Sequence, residues 1–302
     1  MLSYLPLIYV LLATFFWSLD IFVSKLGFLA GAKLIPFNLQ SSAITFLILG
    51  IYVFLTKLKE LKKVPSDVKI KLFFASAIHS GIGGFFGLAA VLYTTAINAA
   101  FLFQFTTVTT SILAWLILSE KMTRSKAFTI ILEMFGIFLF ITNGSLITPH
   151  FGDVLALITC VAWSTGNVLT RSIIKNNSVD ADVATFFRPI GGLTLLILFI
   201  LASPLYPQTL QSIFHTDVLR FSAFPYVFLD SLFVALLFIF LNRTLKVASA
   251  SYMTLMASFS PIFVGVLSFI FLHETISTIQ LFGAFFIIFG GIITQLLRID
   301  KH

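Results

Sequence analysis

Charge is what this sequence has least of. Only 10% of its 302 residues are Asp, Glu, Lys or Arg, against about a quarter in a soluble domain, while 59% are hydrophobic and the mean hydropathy is +1.05. So little polar material cannot cover a water-exposed surface, which excludes an ordinary soluble fold. It also excludes nucleic-acid binding as the meaning of the +7 net charge, because no wetted face remains for a basic patch. There is one cysteine, Cys160, inside an apolar run, so neither an intrachain disulfide nor a cysteine metal cluster is available. No HExxH, no GxSxG and no pair of acidic residues at ligand spacing on one helix occurs, and His273-Glu274 lacks a second histidine. These absences count against an intramembrane enzyme and imply neither a metal nor a cofactor. A receptor or scaffold would bring an attached soluble domain, for which the connections are too short.

What remains is apolar sequence in lengths that matter. A helix needs about 20 mostly apolar residues to cross a bilayer. Charge clusters, Pro and Gly divide the chain into ten such segments, near 5–28, 35–56, 72–95, 98–119, 127–144, 152–174, 183–203, 223–245, 249–272 and 277–297. The first begins almost at Met1 with no Lys or Arg ahead of it, and Asp20 interrupts what would be the apolar core of a signal peptide, so it reads as a retained span. Between spans lie a basic linker, 57–71, and a stretch of mixed polarity, 204–222, that suggests a loop or interfacial helix. The expected fold is an all-α integral membrane protein of ten transmembrane helices.

Basic flanks are retained on the cytoplasmic side. With the N-terminus inside, 15 of the 19 Lys and Arg residues fall on inside segments, only Lys25, Lys33 and Arg220 fall outside, and Arg188 lies within the seventh span. Both termini are therefore expected in the cytoplasm.

The second half repeats the first. Trp17, Ser18, Ser24 and Lys25 match Trp163, Ser164, Thr170 and Arg171 at an offset of 146; Gln40 matches Arg188 at 148; Glu120, Thr123, Lys126 and Gly136 match Glu274, Ser277, Gln280 and Gly290 at 154. Five spans per copy is an odd number, so the second copy enters the membrane the opposite way round. Inverted repeats of this kind are the recurrent architecture of secondary transporters.

The Trp-Ser pattern with a basic residue in span 1 and span 6, Phe186-Phe187-Arg188 at the start of span 7, and Ala-Ser-Ala-Ser-Tyr at 248–252 resemble the EamA family of the drug/metabolite transporter superfamily, as does the ending Pro261, Leu272, Glu274, Gln280, Gly283, Gly290. The resemblance covers residues 1–144 and again 152–298. It implies a permease or exporter of small organic metabolites such as amino acids or related compounds, working by alternating access in the cell (inner) membrane, as monomer or homodimer. It also implies a midplane cavity enclosed mainly by helices 1, 3, 4, 6, 8 and 9. Two departures stand out: Thr107 occupies the position of Pro261, and Gln40 the position where arginine is often seen.

Ionisable groups inside spans are costly and point to partners, water or function. Asp20 shares one face of span 1 with Ala13, Trp17, Ser24 and Gly27, and by analogy with small multidrug transporters it is the candidate for coupling to protons and for substrate contact. The competing reading is a buried pair with Arg188, Lys25 or His79. Span 3 carries His79 ahead of a Gly83/Gly87 packing step, span 4 carries Gln104, Thr107, Ser111 and Trp115, span 6 carries Trp163 and Asn167, and span 9 carries Tyr252 and Met256. Such aromatic, amide and hydroxyl groups suit a mostly apolar pocket with a few orienting hydrogen bonds. Arg188 suits an anionic or zwitterionic group, or a structural pairing. Asp230 is a secondary candidate. Glu133, whose repeat partner is Ile287, reads as a helix-packing or dimer contact, and Glu120 and Glu274 read as caps at tight turns.

The charge count generates a direct test. With Cys160 replaced, a Lys62→Cys variant is expected to react with an impermeant maleimide only from the cytoplasmic side; labelling of intact cells from outside overturns the orientation.

Overall fold

The computed structural model describes residues 4–142, 151–205 and 223–296. Among them every regular element is helical: α1 (Leu5–Leu29), α2 (Leu34–Thr56), the short α3 (Leu58–Lys63), α4 (Ser66–Tyr93), α5 (Ala96–Leu118), α6 (Arg124–Thr142), α7 (Phe151–Asn176), α8 (Ala181–Leu205), α9 (Phe224–Val247), α10 (Ala250–Phe271) and α11 (Thr278–Leu296). Eight of these, all except α3, α6 and α11, are long and apolar enough to cross a membrane. Helices α6 and α11 lie where the fifth and tenth spans are expected. Beyond Leu205, the 204–222 stretch lies outside the described residues.

Local sequence sets the helix ends. Pro6 and Pro225 sit in the first turns of α1 and α9, where a missing N–H costs nothing. Thr95 and Ser249 cap α5 and α10 by accepting from the amides of Asn98 and Tyr252. Asp180 caps α8 and also pairs with Lys57 just past α2, at 3.2 Å. That hydrogen bond holds the Lys57 ammonium above its ordinary pKa. At the same end Arg243 grips Asp182 at 2.8 Å and reaches Tyr52 at 3.0 Å, joining α2, α8 and α9.

The helices pair in matching sets. Helix α4 packs on α7 and α8, and α9 packs on α1 and α2; α5 lies on α7, and α10 on α1; α5 meets α10, and α6 meets α11. The third and fourth helices of one half therefore close around the first two of the other, and the core is shared between halves.

Helices α6 and α11 form a peripheral pair whose lipid side is apolar, with Ile131, Phe138, Phe282 and Phe285 exposed. Their contact rests on glycine. A Cβ on Gly136 would lie 2.6 Å from the Gly283 carbonyl oxygen, and one on Gly290 would lie 2.7 Å from Cγ of Glu133. Small residues bring membrane helices this close. Glu133 is fully buried in that seam, and neither of its carboxyl oxygens has a hydrogen-bond partner among the described residues. Of the two roles expected for it, helix packing within the chain is the one its position fits.

Overpacking a tight contact costs about 1–3 kcal/mol. Gly136→Leu should lower the thermal midpoint of the detergent-solubilised protein by several degrees. Gly84→Ala, where an added Cβ meets nothing within 4 Å, should leave it unchanged; equal midpoints would mean that the seam is looser than described.

Candidate functional site: a central cavity with two carboxylates

Three local departures from regular α-helix shape the centre of the molecule. In α4, residues Ala77–Gly83 form a wider π-helical turn around His79, a deformation often found at functional sites. Two neighbours make room for it: a Cβ on Gly166 of α7 would lie 2.4 Å from Cβ of His79, and one on Gly191 of α8 would lie 2.4 Å from the Ala77 amide nitrogen. In α5, Phe103–Phe105 tighten into a 3₁₀ turn, and in α10 so do Ala257–Phe259. These two turns stand at the same offset of 154 that relates the repeats, so the bend does not require the proline that α5 lacks at Thr107.

The space left between α1, α2, α4, α5, α7, α8, α9 and α10 is a cavity of about 140 Å³, which α8 touches through Pro189. Of the expected site residues, Trp17, Asp20, His79, Trp163 and Asn167 line it. The aromatic wall is continuous: Trp17 meets Trp163 edge-on at 5.6 Å, Phe103 lies 4.8 Å from Trp163, and His79 sits between Trp163 at 6.2 Å and Phe238 at 5.8 Å. Gly83 and Gly87, expected as a seam for a neighbouring backbone, instead admit the Trp163 ring, to which their added Cβ atoms would approach within 2.4 and 3.0 Å.

Gln104, Ser111, Arg188, Tyr252 and Met256 do not line the cavity; each is at most 2% exposed. In their place α5 presents Phe103 and Thr106, and α10 presents Met253, Thr254 and Ala257. Tyr252 and Met256 share one face of a regular stretch of α10, Ala250–Met256, and it is the adjacent face, with Met253 and Thr254, that the packing turns toward the cavity. Arg188 lies behind Phe238, its guanidinium carbon 5.7 Å from that ring's centre and its Nη2 donating to Asn242 Oδ1 at 2.7 Å.

Asp230 takes a larger part than its secondary standing implied. It is 1% exposed and lines the cavity beside Asp20. Ser24 Oγ lies between them, 2.6 Å from Asp230 Oδ1 and 3.5 Å from Asp20 Oδ1, and Ser41 Oγ donates to Asp230 Oδ2. Asn38, Ser42 and Thr45 of α2 also face the cavity. The sequence signal for them was the hydroxyl and amide stripe of α2, Asn38, Ser41, Ser42 and Thr45, at helical spacing.

Beyond the cavity, each end of the bundle carries a glutamate that caps a helix of the other half. Glu120 accepts from the Ala250 amide at 3.0 Å and Ser251 Oγ at 2.7 Å. Glu274 accepts from the Ala96 and Ile97 amides at 3.2 and 3.1 Å. They are caps, as expected, but of distant helices; Thr123 and Ser277 cap the helices that follow. The two ends differ in their cations. Glu120 pairs with Arg171 at 3.3 Å and Lys126 at 3.6 Å. Lys25, the repeat partner of Arg171, makes no ion pair with Glu274 among the described residues; its Nζ donates to the carbonyl oxygens of Val91 and Thr94 at 3.1 and 2.5 Å.

Comparison with known proteins agrees with this architecture. The chain is 27% identical over 239 residues to an uncharacterized transporter, YyaM, of Bacillus subtilis (strain 168), covering 75% of each chain. A protein of known crystal structure, 13% identical, superposes with a TM-score of 0.67 over 95% of this chain and 96% of its own, a likeness of fold alone. The model of the EamA-like transporter family matches twice, over residues 5–142 and 150–295, and with its membrane-length helices this chain belongs to that family as a multi-pass membrane transporter.

Proposed function

We propose that the protein is a secondary transporter that moves small organic metabolites by alternating access. In this reading residues 1–144 and 152–298 are two five-helix repeats of opposite orientation that rock about the central cavity. The cell (inner) membrane holds it with both termini and the Glu120 end in the cytoplasm, which accords with the basic residues gathered there. Asp20 is the site of proton coupling, and substrate meets the faces of Trp17, Trp163 and His79 together with Asn167.

The observation that carries this reading is the inequality of the two ends. Glu120 and Glu274 occupy equivalent positions and cap equivalent helices; Lys126 has Gln280 as its counterpart, so the comparison rests on Arg171 and Lys25, and among the described residues Arg171 pairs with Glu120 while Lys25 makes no pair with Glu274. A pseudo-symmetric molecule with one latch engaged and its counterpart disengaged is what one state of a two-state exchanger looks like: locked at the Glu120 end, released at the Glu274 end. In the opposite state Lys25 would leave the carbonyl oxygens at the end of α4 for Glu274, while Arg171 would leave Glu120. Two five-helix units of opposite orientation supply both states from one design. The matching helix pairings and the 3₁₀ turns at equivalent positions support the same view.

If the ion pairs hold the Glu120 end shut, weakening them shifts the populations. A change of about 1.4 kcal/mol moves such an equilibrium tenfold. With Cys160 replaced, maleimide labelling of a Thr254→Cys variant from the cytoplasmic side should therefore rise about tenfold on Arg171→Gln, and fall back when the charges are exchanged as Glu120→Lys with Arg171→Glu. No change in labelling would sink the latch. Transport itself is tested by a metabolite thermal-shift screen followed by counterflow in proteoliposomes. Asp20→Asn should lower flux at least tenfold and remove its response to a pH gradient; full flux with an unchanged response would mean that Asp20 is not the coupling site.

A further inference from the structure

The cavity is one-sided in charge. Asp20 and Asp230 both face it, and among the described residues its lining contains no lysine or arginine. The charged and titratable groups around the pair are committed elsewhere or lie apart from it. On α1, Lys25 is held by carbonyl oxygens of α4; on α8, Arg188 lies behind Phe238 and outside the lining, its Nη2 on Asn242 and its Nε and Nη1 without a hydrogen-bond partner among the described residues; Glu274 caps α5. His79 of α4 is enclosed by rings, its Nδ1 3.3 Å from Ser80 Oγ. The faces of α2 and α10 bring amide, hydroxyl and apolar groups only.

The two carboxyl groups are not equivalent. Among the described residues Asp230 accepts from both Ser24 and Ser41, whereas Asp20 receives the long contact from Ser24. The one Ser24 hydroxyl thus stands between the two carboxyl groups, 2.6 Å from one and 3.5 Å from the other, in a mostly apolar lining without lysine or arginine. Two acids so placed do not both ionise, so they hold one proton between them. The serine donors stabilise the anion on Asp230, which leaves the proton on Asp20.

A second feature points to a ligand. Asn167 is 6% exposed, faces the same cavity, and its Oδ1 has no hydrogen-bond partner among the described residues. Together with the carboxylates and the π-faces of Trp17, Trp163 and Phe103, it makes a cavity of acceptors. The complement of that surface is a donor-bearing cation.

We propose that Asp20 and Asp230 form an exchange site at which one proton is replaced by one organic ammonium ion that carries no carboxylate. In the empty cavity the pair holds one proton and a net charge of minus one. On binding, Asp20 gives its proton to water, both carboxylates ionise, and the ammonium brings the net charge back to minus one. No covalent bond to carbon forms or breaks. Both forms present the membrane with the same charge, which is what an exchanger needs if loaded and empty forms are to cross the same barrier. An amino acid would carry a second charge, its carboxylate, into a lining with no lysine or arginine to receive it. This narrows the substrate class of the transport reading and rests on it for the role of the cavity.

The test uses the full chain in detergent and three probes sharing one ring: phenethylamine, phenylalanine and 3-phenylpropionate. Calorimetry gives affinity, and an indicator dye in weak buffer gives protons released. Phenethylamine should bind at least about tenfold more tightly than phenylalanine, with 3-phenylpropionate not binding and one proton released per amine. Below the midpoint of the pair, amine affinity should weaken by roughly tenfold per pH unit. Asp20→Asn should still bind the amine, through Asp230, but release no proton and lose the pH dependence; Asp20→Glu should restore both. Ser41→Ala, a milder change, should move the pH midpoint upward, because the Asp230 anion loses a donor. Binding of phenylalanine or 3-phenylpropionate as tight as the amine, no binding of the amine, or proton release that survives Asp20→Asn would each overturn the proposal. Amine binding with proton release but no counterflow would instead overturn the transport reading and leave the exchange site standing, whereas counterflow of phenylalanine without amine binding would do the reverse.

Discussion

In a hydrocarbon medium no water is available to satisfy a polar group, and the architecture follows from that constraint. Backbone groups are satisfied within helices. Hydroxyl groups along the spans fold back onto their own turn, as Thr14 does on Val10, Thr159 on Leu155 and Ser231 on Val227. Charged side chains in the spans turn inward to specific partners. Arg188 reaches Asn242, Lys25 reaches two carbonyl oxygens, and Asp230 gathers two serines. Glu133 is buried in a glycine seam whose close packing joins two peripheral helices.

The same constraint explains why the cavity forms where helices deviate. A regular helix between regular neighbours packs to a dry seam. The 3₁₀ turns of α5 and α10 and the π turn of α4 lie at the cavity, which Phe103, Ala257, His79 and Ser80 of those turns line. Into it project the rings of Trp17, Phe103, Trp163 and Phe238 and the carboxyl groups of Asp20 and Asp230. Irregular backbone at membrane depth is tolerated where it is buried in protein or lines a cavity, and here it does both.

Helices α1 and α7 each join the cavity to one end of the bundle. On α1, Asp20 and Ser24 share a face one helical turn apart, and Lys25 follows at once, held by carbonyl oxygens at the end of α4. On α7, Asn167 and Arg171 stand four residues apart, linking the cavity to the Glu120 end in the same way. Each helix thus carries a cavity contact and an end contact within about two turns of one continuous helix.

Much of this was legible in the chain itself. The scarcity of charge, the apolar run lengths and the repeated motifs give the helical membrane class and the family, because the bilayer imposes length and polarity residue by residue. The interior positions of Trp17, Asp20, Trp163 and Asn167 follow from helical spacing, since α1 and α7 are regular through the cavity, whereas His79 lines it from within the π turn of α4. Gln104, Ser111, Tyr252 and Met256 fall outside the lining because the packing of α5 and α10 turns adjacent faces, with Phe103, Thr106, Met253 and Thr254, toward the cavity, and spacing along one helix does not say which face meets it. The pairing of Asp20 with Asp230, 210 positions apart in the chain, and the cross-capping by Glu120 and Glu274 were decided by tertiary structure alone. Helical spacing says which face a residue shares on its own helix, but only the packing of one half around the other determines which faces meet.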